Sequence, residues 1–142
     1  MDLDLLKTPA PTITALTAPF WKAAEEGRLS IQYCEECDTH VFYPRPICPQ
    51  CWSDKLVWKD ASGRATLKAF SEVHKPGHPG WLPIVPYTVG VVELEEGPTM
   101  LTFILRDAGD ELGVGAAVHV VPTRISGRNM PAFKQSRSQE RT

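Results

Sequence analysis

Four cysteines are the residues of this chain whose type and spacing are best suited to chemistry. Cys34 and Cys37 form one Cys-x-x-Cys pair, and Cys48 and Cys51 form a second pair ten residues further along. A Cys-x-x-Cys turn places two thiolates on one side of a tight loop, and two such turns facing each other form a tetrahedral sulfur cage suited to Zn²⁺. Four protein sulfurs leave no coordination position open, so the spacing predicts one structural zinc ion rather than a catalytic one.

Two disulfide bonds, a thioredoxin-type redox pair and an iron ion are the alternatives for these cysteines. The chain does not open with a basic region and an apolar stretch, so a secretory signal and an oxidising compartment are not indicated. No apolar run reaches the 18 or so residues of a membrane span. We therefore favour zinc, keep iron as the other metal, and expect a cytoplasmic protein without membrane contact.

Histidines are the remaining candidates for acid–base chemistry. His74, His78 and His119 lie outside the cysteine region, and a lone histidine in a strand, such as His119, more often has a structural role. His40 lies between the cysteine pairs, where we expect an exposed turn position rather than a ligand. The sequence has no serine in a nucleophile elbow and no His-Glu-x-x-His motif, so we expect no catalytic activity from the chain alone.

Short strands are expected to position the cysteines, because thirteen prolines in 142 residues argue against long helices. Residues 29–33 alternate apolar and polar side chains and lead into Cys34, and residues 41–43 and 55–59 follow the two cysteine pairs as further strands. This order is typical of a zinc ribbon, whose small core needs the metal for stability.

The segment before the ribbon is predicted to contain one short helix. Residues 1–18 have no sustained apolar period, and we interpret them as an extended arm that is either a mobile terminus or a contact with a partner. Residues 19–27 favour a helix, with Thr17 as its N-cap and Gly27 as its C-terminal stop. We interpret Trp21 as a core anchor in preference to a partner contact.

From residue 64 onward the patterns predict strands and no helix. The predicted strands are 65–74, 87–94, 99–106, 117–122 and a short piece near Ala132 and Phe133. Five strands in about 75 residues fit a small OB-fold barrel, with a small sandwich as the competing fold. The turn at 95–98 predicts a hairpin. The predicted organisation is an arm and helix at 1–28, a zinc ribbon at 29–61, a barrel at 62–135 and a basic tail at 136–142.

The connection between the first two barrel strands, residues 74–86, is long for a hairpin and contains four prolines and two glycines. Long ordered loops in compact domains are often functional. The alternative is a stiff surface loop whose apolar residues, Ile84 among them, cap the end of the barrel. The residues that we single out as ligand or partner contacts are His74, Lys75, His78, Trp81 and Leu82.

Charge is distributed unevenly along the chain. Residues 1–123 contain 10 Lys/Arg and 16 Asp/Glu, a net charge of −6, whereas residues 124–142 contain 5 Lys/Arg and 1 acid, a net charge of +4. An acidic body binds polyphosphate poorly, so nucleic-acid binding, the first function to consider for a zinc ribbon joined to an OB barrel, is disfavoured.

Several short motifs occur in an order that is found in one known family. They are Phe20-Trp21, Gly27-Arg28-Leu29, the four cysteines, Phe42-Tyr43-Pro44-Arg45-Pro46, Gly63, Pro86-Tyr87 and Glu93-Leu94-x-Glu96-Gly97-Pro98. Over residues 15–135 the chain resembles the acyl-CoA-associated zinc-ribbon/OB-fold proteins, long described as a domain of unknown function. The resemblance implies an N-terminal helical segment, a rubredoxin-like ribbon and an OB barrel.

The resemblance also implies a function as the small subunit of a thiolase-superfamily enzyme, in which the catalytic cysteine and histidines belong to the larger subunit. Partners in the family include acetyl-CoA acetyltransferases, acyltransferases that make C-acylated phenols, sterol side-chain aldolases and benzoylsuccinyl-CoA thiolase. We therefore interpret the chain as a noncatalytic zinc-binding subunit that, with a thiolase-like larger subunit, acts on a CoA thioester. A module that binds single-stranded nucleic acid and a stand-alone acyl-CoA-binding protein are the alternatives.

Overall fold

A three-stranded sheet and a five-stranded barrel make up most of the computed structural model, which describes residues 3–106 and 111–136. In chain order the elements are a 3-10 turn Leu3–Leu5, α1 Ala18–Glu25, β1 Ser30–Cys34, β2 Thr39–Val41, β3 Leu56–Asp60, β4 Arg64–Val73, a 3-10 turn Pro79–Ile84, β5 Tyr87–Leu94, β6 Thr99–Leu105, β7 Ala117–Ile125 and β8 Arg128–Gln135. The predicted fold class, mainly β with an N-terminal helical segment, a zinc ribbon and a five-stranded barrel, is confirmed. Most of the predicted basic tail, residues 137–142, lies outside the described residues.

The predicted helix is present as α1, and its C-terminus ends as expected. Gly27 has a φ of +80°, and its N–H and that of Arg28 donate to the carbonyls of Ala24 and Ala23, which is a Schellman termination. At the other end, Thr17 occupies the N-cap position but its hydroxyl does not cap the helix. Within the described residues, no helix is long and apolar enough to cross a membrane.

The N-terminal arm folds back onto its own chain. The N–H of Ser126 donates to the carbonyl of Leu3, and the N–H of Gly127 donates to Oδ1 of Asp4 at 2.6 Å. Leu6 is buried at 4% exposure. The first part of the arm is therefore docked on the turn between β7 and β8, and is not an unattached extended segment.

The predicted ribbon consists of β1 flanked by β2 and β3, all antiparallel. Cys34 closes β1 and pairs with Thr39 on one side and Leu56 on the other, which brings both cysteine turns to one end of the sheet. His40 lies within β2, half-buried, with its ring 4.9 Å from that of Tyr33. Our expectation of an exposed turn position was wrong, because β2 begins at Thr39, two residues earlier than predicted from its apolar run.

The barrel closes in the order β4-β5-β6-β8-β7, and β7 pairs back onto β4. All neighbouring strands are antiparallel except β6 and β8, which are parallel over two residue pairs. The predicted hairpin is formed by β5 and β6. This order is that of the partly open Greek-key barrel of OB folds, and the sandwich alternative is wrong.

The last strand is longer than predicted. The sequence indicated only a short piece around 132–133, whereas β8 spans eight residues and pairs with β7 along its whole length. The two strands are joined at Ser126 and Gly127, whose φ values of +53° and +83° are those of a two-residue hairpin turn. Pro122 and Pro131 obscured the strand pattern, but they lie opposite each other in the pair.

One core cluster connects the barrel with the ribbon and the helix. The barrel residues with 2% exposure or less in this cluster are Leu67, Val92, Leu94, Ile104, Val118 and Phe133. Phe20 of α1 and Ile31 of β1 belong to the same cluster, and Ile31 is fully buried. The ribbon and helix therefore pack onto the barrel and share its core.

Candidate functional site

The four cysteine sulfurs form a compact cluster at the end of the ribbon. All four Sγ atoms lie within 4.8 Å of one another, with Cys34 and Cys51 at 3.5 Å and Cys37 and Cys48 at 3.7 Å. A tetrahedron with Zn–S bonds of about 2.3 Å has S···S edges of about 3.8 Å, so the cluster has the size that zinc requires. All four residues are free cysteines, and the predicted clustering is confirmed.

Two similar backbone turns hold the cysteines. The N–H of Asp38 donates to the carbonyl of Cys34, and the N–H of Trp52 donates to the carbonyl of Cys48, each at 2.9 Å. Asp38 and Trp52 both have positive φ, +54° and +67°. In the second turn the N–H of Gln50 also points at the Cys48 sulfur, at 3.4 Å. Such N–H groups stabilise negative charge on sulfur, as a metal-bound thiolate needs.

Electrostatics in the cluster favour a bound cation. Burial raises the pKa of the Cys48 thiol, but backbone hydrogen bonds from Cys51 and Gln50 and the neighbouring thiols outweigh it and lower this pKa to about 7. For Cys51, the Ser53 backbone N–H lowers the pKa, whereas burial and the other three thiols raise it to about 12. Four thiolates therefore coexist only when a cation offsets their repulsion, and the donor set fits Zn²⁺, with iron still open.

The cluster is closed on one side and open to solvent on the other. Cys34 and Cys48 are fully buried against Val41 and, in part, Leu56, whereas Cys51 is exposed. This satellite core is too small to be stable alone, so it is consistent with a structural metal.

The two histidines of the loop between β4 and β5 are engaged within their own chain. Nδ1 of His78 accepts a hydrogen bond from the N–H of Gly80 at 2.9 Å and caps the 3-10 turn Pro79–Ile84. Nε2 of His74 lies 3.5 Å from Oε2 of Glu72. Lys75 is exposed.

Trp81 lies on the outer face of the barrel. In β5 the side chains of Thr88 and Val92 are buried, so Tyr87 points outward. The Trp81 ring is 5.2 Å from that of Tyr87 and 6.1 Å from that of Phe103, and the last two rings stack at 5.7 Å. We call these three rings the aromatic ladder. One of our alternatives was that the apolar residues of this loop cap the end of the barrel, and Trp81 does not do so. Instead it extends an aromatic surface over β5 and β6.

A groove of about 380 Å³ continues from the ladder towards α1. Its lining includes Trp21, Phe42, Tyr43, Leu101 and Phe103. The Tyr43 hydroxyl accepts a hydrogen bond from the N–H of Leu101 at 3.2 Å, and the two side chains are 52% and 59% exposed. Trp21, predicted as a core anchor, contacts Phe20 edge-on at 4.9 Å and is only half-buried, because its remaining surface lines this groove.

This apolar outer surface was not predicted from the sequence. The signal was present in β6, where Leu101, Phe103 and Leu105 occupy the outward positions that polar residues usually hold in a half-exposed antiparallel strand. The contribution of the ribbon, through Tyr43, depends on a contact between residues far apart in the chain and has no local sequence signal.

Comparison with family models divides the chain at the junction of ribbon and barrel. Residues 21–57 match the rubredoxin-like zinc ribbon domain of ChsH2, and residues 58–122 match the C-terminal OB-fold domain of ChsH2. Both matches agree with the elements described above.

Two relatives illustrate the range of proteins that contain a similar sequence. The chain is 34% identical over 110 residues to a probable enoyl-CoA hydratase alpha subunit of Thermomonospora curvata. That match covers 78% of this chain but 34% of the relative, so the chain spans about a third of its length. The chain is also 32% identical over 108 residues to a DUF35 domain-containing scaffold protein of Pyrococcus furiosus, covering 75% of this chain and 77% of the relative.

Solved structures show the same architecture. The Ltp2-ChsH2(DUF35) aldolase structure contains a chain that is similar over 89% of this chain and 98% of its own length, with a TM-score of 0.78 and 31% identity. A DUF35 protein of unknown function from Sulfolobus solfataricus has the same fold, with a TM-score of 0.61 and 11% identity over 86% of each chain. The ribbon-barrel architecture, the four clustered cysteines and these similarities show that the chain belongs to the DUF35 family of ChsH2-type zinc-ribbon/OB-fold proteins.

Proposed function

We propose that the chain is a noncatalytic small subunit of a thiolase-superfamily complex that makes or cleaves a C–C bond by acyl transfer to or from CoA. The main support is the similarity to the DUF35 chain of an aldolase structure, which covers 89% of this chain and 98% of that one. The relative from Thermomonospora curvata is named as a probable enoyl-CoA hydratase alpha subunit, which supports a CoA thioester as substrate.

The contacts of the histidines support a noncatalytic role. His40 packs on Tyr33, His74 lies beside Glu72, and His78 caps its own turn. Nδ1 of His119 is 3.0 Å from the hydroxyl of Ser136. Of these contacts, that of His119 pairs a histidine with a hydroxyl, but it joins β7 to the residue that follows β8, whose N–H donates to the carbonyl of Ala117. It is a contact within the strand pair rather than a nucleophile and base directed at a substrate, as covalent catalysis requires. We therefore assign the nucleophile and the general base to the larger subunit.

We further propose that Cys34, Cys37, Cys48 and Cys51 hold one structural zinc ion and that the aromatic face of the barrel contacts the larger subunit. Trp81 and Leu82 would contribute to this interface, since Leu82 is 54% exposed beside the ladder. We propose that His74 and Lys75, at the base of the same loop, meet polar or phosphate groups of CoA. A four-thiol site is typical of a reducing compartment, so we place the complex in the cytoplasm.

The test is reconstitution with the thiolase-type larger subunit from the same source. We expect the purified chain to cleave no acyl-CoA alone and the mixture to be active, with free CoA or product measured by chromatography. The larger subunit alone is the control, and its activity should rise on addition of this chain. Acyl-CoA cleavage by the isolated chain, after rigorous removal of contaminants, would overturn the assignment.

One observation favours a second function, the binding of single-stranded nucleic acid. The aromatic ladder lies on β5 and β6, the second and third barrel strands, which form the ligand face of OB folds, and stacked bases commonly pack on such rings. Against this, residues 1–123 carry a net charge of −6. Fluorescence anisotropy with a labelled 20-nucleotide strand at low salt decides the question, and we expect no binding at micromolar protein.

A further inference from the structure

Trp52 is an unusually exposed tryptophan. Its side chain is 81% accessible, and Ile47, in the same cysteine turn, is 45% accessible. A large aromatic side chain at this exposure, with a second apolar side chain in the same turn, offers apolar area that a partner can bury. We call the residues from Pro46 to Trp52 the second knuckle. It lies at the cysteine end of the ribbon, whereas the proposed interface around Trp81 lies on the barrel.

The second knuckle is rigid, which favours a role in binding. The N–H of Trp52 donates to the carbonyl of Cys48 at 2.9 Å, and the N–H of Cys48 donates to the carbonyl of Ser53 at 2.8 Å. A metal ion bound by Cys48 and Cys51 would fix the turn further. A preformed aromatic anchor loses little conformational entropy on binding, and tryptophan is among the residues most enriched at binding hot spots.

Acidic side chains lie on the other cysteine turn, which meets the second knuckle at the sulfur cluster. Cys51 immediately precedes Trp52, and Cys34 immediately precedes Glu35 and Glu36. The sulfur atoms of Cys51 and Cys34 are 3.5 Å apart. Both of these glutamates are exposed, and Lys55, 3.5 Å from Glu36, is the ion-pair partner that the described structure provides for them. An apolar tip with acids on the adjoining turn does not suit nucleic acid or an anionic membrane, because both carry negative charge.

We propose that the second knuckle is a separate docking element that inserts Trp52 and Ile47 into an apolar socket bordered by basic side chains on the larger subunit. The occupant follows from charge complementarity, since acids on the turn that adjoins an apolar anchor match basic groups around an apolar pocket. The proposal rests on the proposed function, because it requires the larger subunit. It adds a second contact to the one around Trp81, so the small subunit binds its partner at two separate places.

The test measures the affinity of the larger subunit for single variants by surface plasmon resonance or calorimetry, with zinc content checked for each variant. We expect Trp52→Ala to weaken binding roughly 30-fold, as for a hot-spot anchor, and to retain its zinc. The matched control is Val114→Ala, since Val114 is 70% exposed but lies before β7 on the barrel, and its affinity should not change. Glu35→Lys should weaken binding several-fold and remove part of its salt dependence, whereas Glu111→Lys should not.

The possible outcomes distinguish failure of the docking element from failure of the proposed function. If the wild-type chain does not bind the larger subunit, the proposed function fails and this inference fails with it. If the wild type binds and Trp52→Ala binds equally well, only the docking element is wrong. The alternative binding partner is a second copy of this chain, which is tested by analytical ultracentrifugation of the chain alone. A dimer that is abolished by Trp52→Ala would assign the second knuckle to self-association and overturn the proposal.

Discussion

At the scale of single residues, burial separates the four cysteines, and this determines which substitution is most damaging. Cys48 is fully buried and accepts two backbone N–H contacts, whereas Cys51 is exposed. A serine at position 48 would leave a poorer ligand and a buried hydroxyl in a turn shaped for sulfur. The loss of folding free energy therefore has two sources: the lost metal and a buried hydroxyl whose hydrogen bonds are not fully satisfied.

We expect Cys48→Ser to abolish stoichiometric zinc binding and to unfold the ribbon. Metal content per chain is measured by inductively coupled plasma mass spectrometry on freshly purified protein. The matched control is His40→Ala, which removes the histidine nearest the cysteine pairs in sequence but no ligand, and it should retain one zinc per chain. Wild-type protein with neither zinc nor iron, or a His40→Ala variant without metal, would contradict the four-cysteine site.

Residues whose positions depend on local motifs were predicted correctly from the sequence, whereas residues whose positions depend on strand pairing were not. The cysteines were identified correctly because two Cys-x-x-Cys turns are local motifs. His40 was misplaced because its position opposite Tyr33 is set by the pairing of β1 with β2. The hydroxyl of Thr17 bonds to Thr14 rather than to the helix, a choice between two local contacts that the cap motif does not decide.

At the scale of elements, Trp81 and Leu82 of the loop between β4 and β5 are neighbours in the chain but have different environments. Trp81 is half-buried and its ring contacts that of Tyr87, whereas Leu82 is 54% exposed and takes no part in the ladder. Substitution of each side chain in turn can therefore distinguish a stabilising role of the loop from a binding role.

We expect Leu82→Ala to weaken binding of the larger subunit while leaving the thermal midpoint of the isolated chain unchanged. Trp81→Ala should cost on the order of 2 kcal/mol of binding free energy if Trp81 is an anchor, and it should also lower the midpoint because Tyr87 and Phe103 lose their packing. Differential scanning fluorimetry and affinity are measured on the same samples. A lower midpoint with unchanged affinity in both variants would limit this loop to a structural role.

Strand prediction succeeded where side chains alternate in burial and failed where other constraints dominate. In β5 the alternation of buried and half-exposed side chains matches the sequence pattern, and the predicted bounds 87–94 agree with the structure. In β8 the four residues from Arg128 to Pro131 are all intermediate in burial, so no period of two exists there. Ser126 and Gly127, which our prediction did not use, form the turn that fixes the register of both strands.

At the scale of the whole molecule, the ribbon and the barrel are coupled through a shared core. Phe20, Leu29 and Ile31 come from the helix and the ribbon, yet they pack in the same cluster as Leu67 and Phe133 of the barrel. Periodicity could not predict this coupling, because it identifies which face of an element is buried but not which element covers it. The boundaries 28/29 and 61/62 remain predictions about sequence organisation.

The shared core predicts that removal of the metal destabilises the barrel as well as the ribbon. Zinc binding in small modules contributes on the order of 10 kcal/mol, comparable with the total stability of a domain. When the ribbon unfolds, Ile31 leaves the core and exposes barrel residues that it covered. We therefore expect excess chelator to lower the unfolding midpoint of the whole chain in a single calorimetric transition. The Cys48→Ser variant should already show the lower midpoint and should not respond to chelator. Two transitions, with the barrel melting at its original temperature, would show that ribbon and barrel are energetically independent despite their contact.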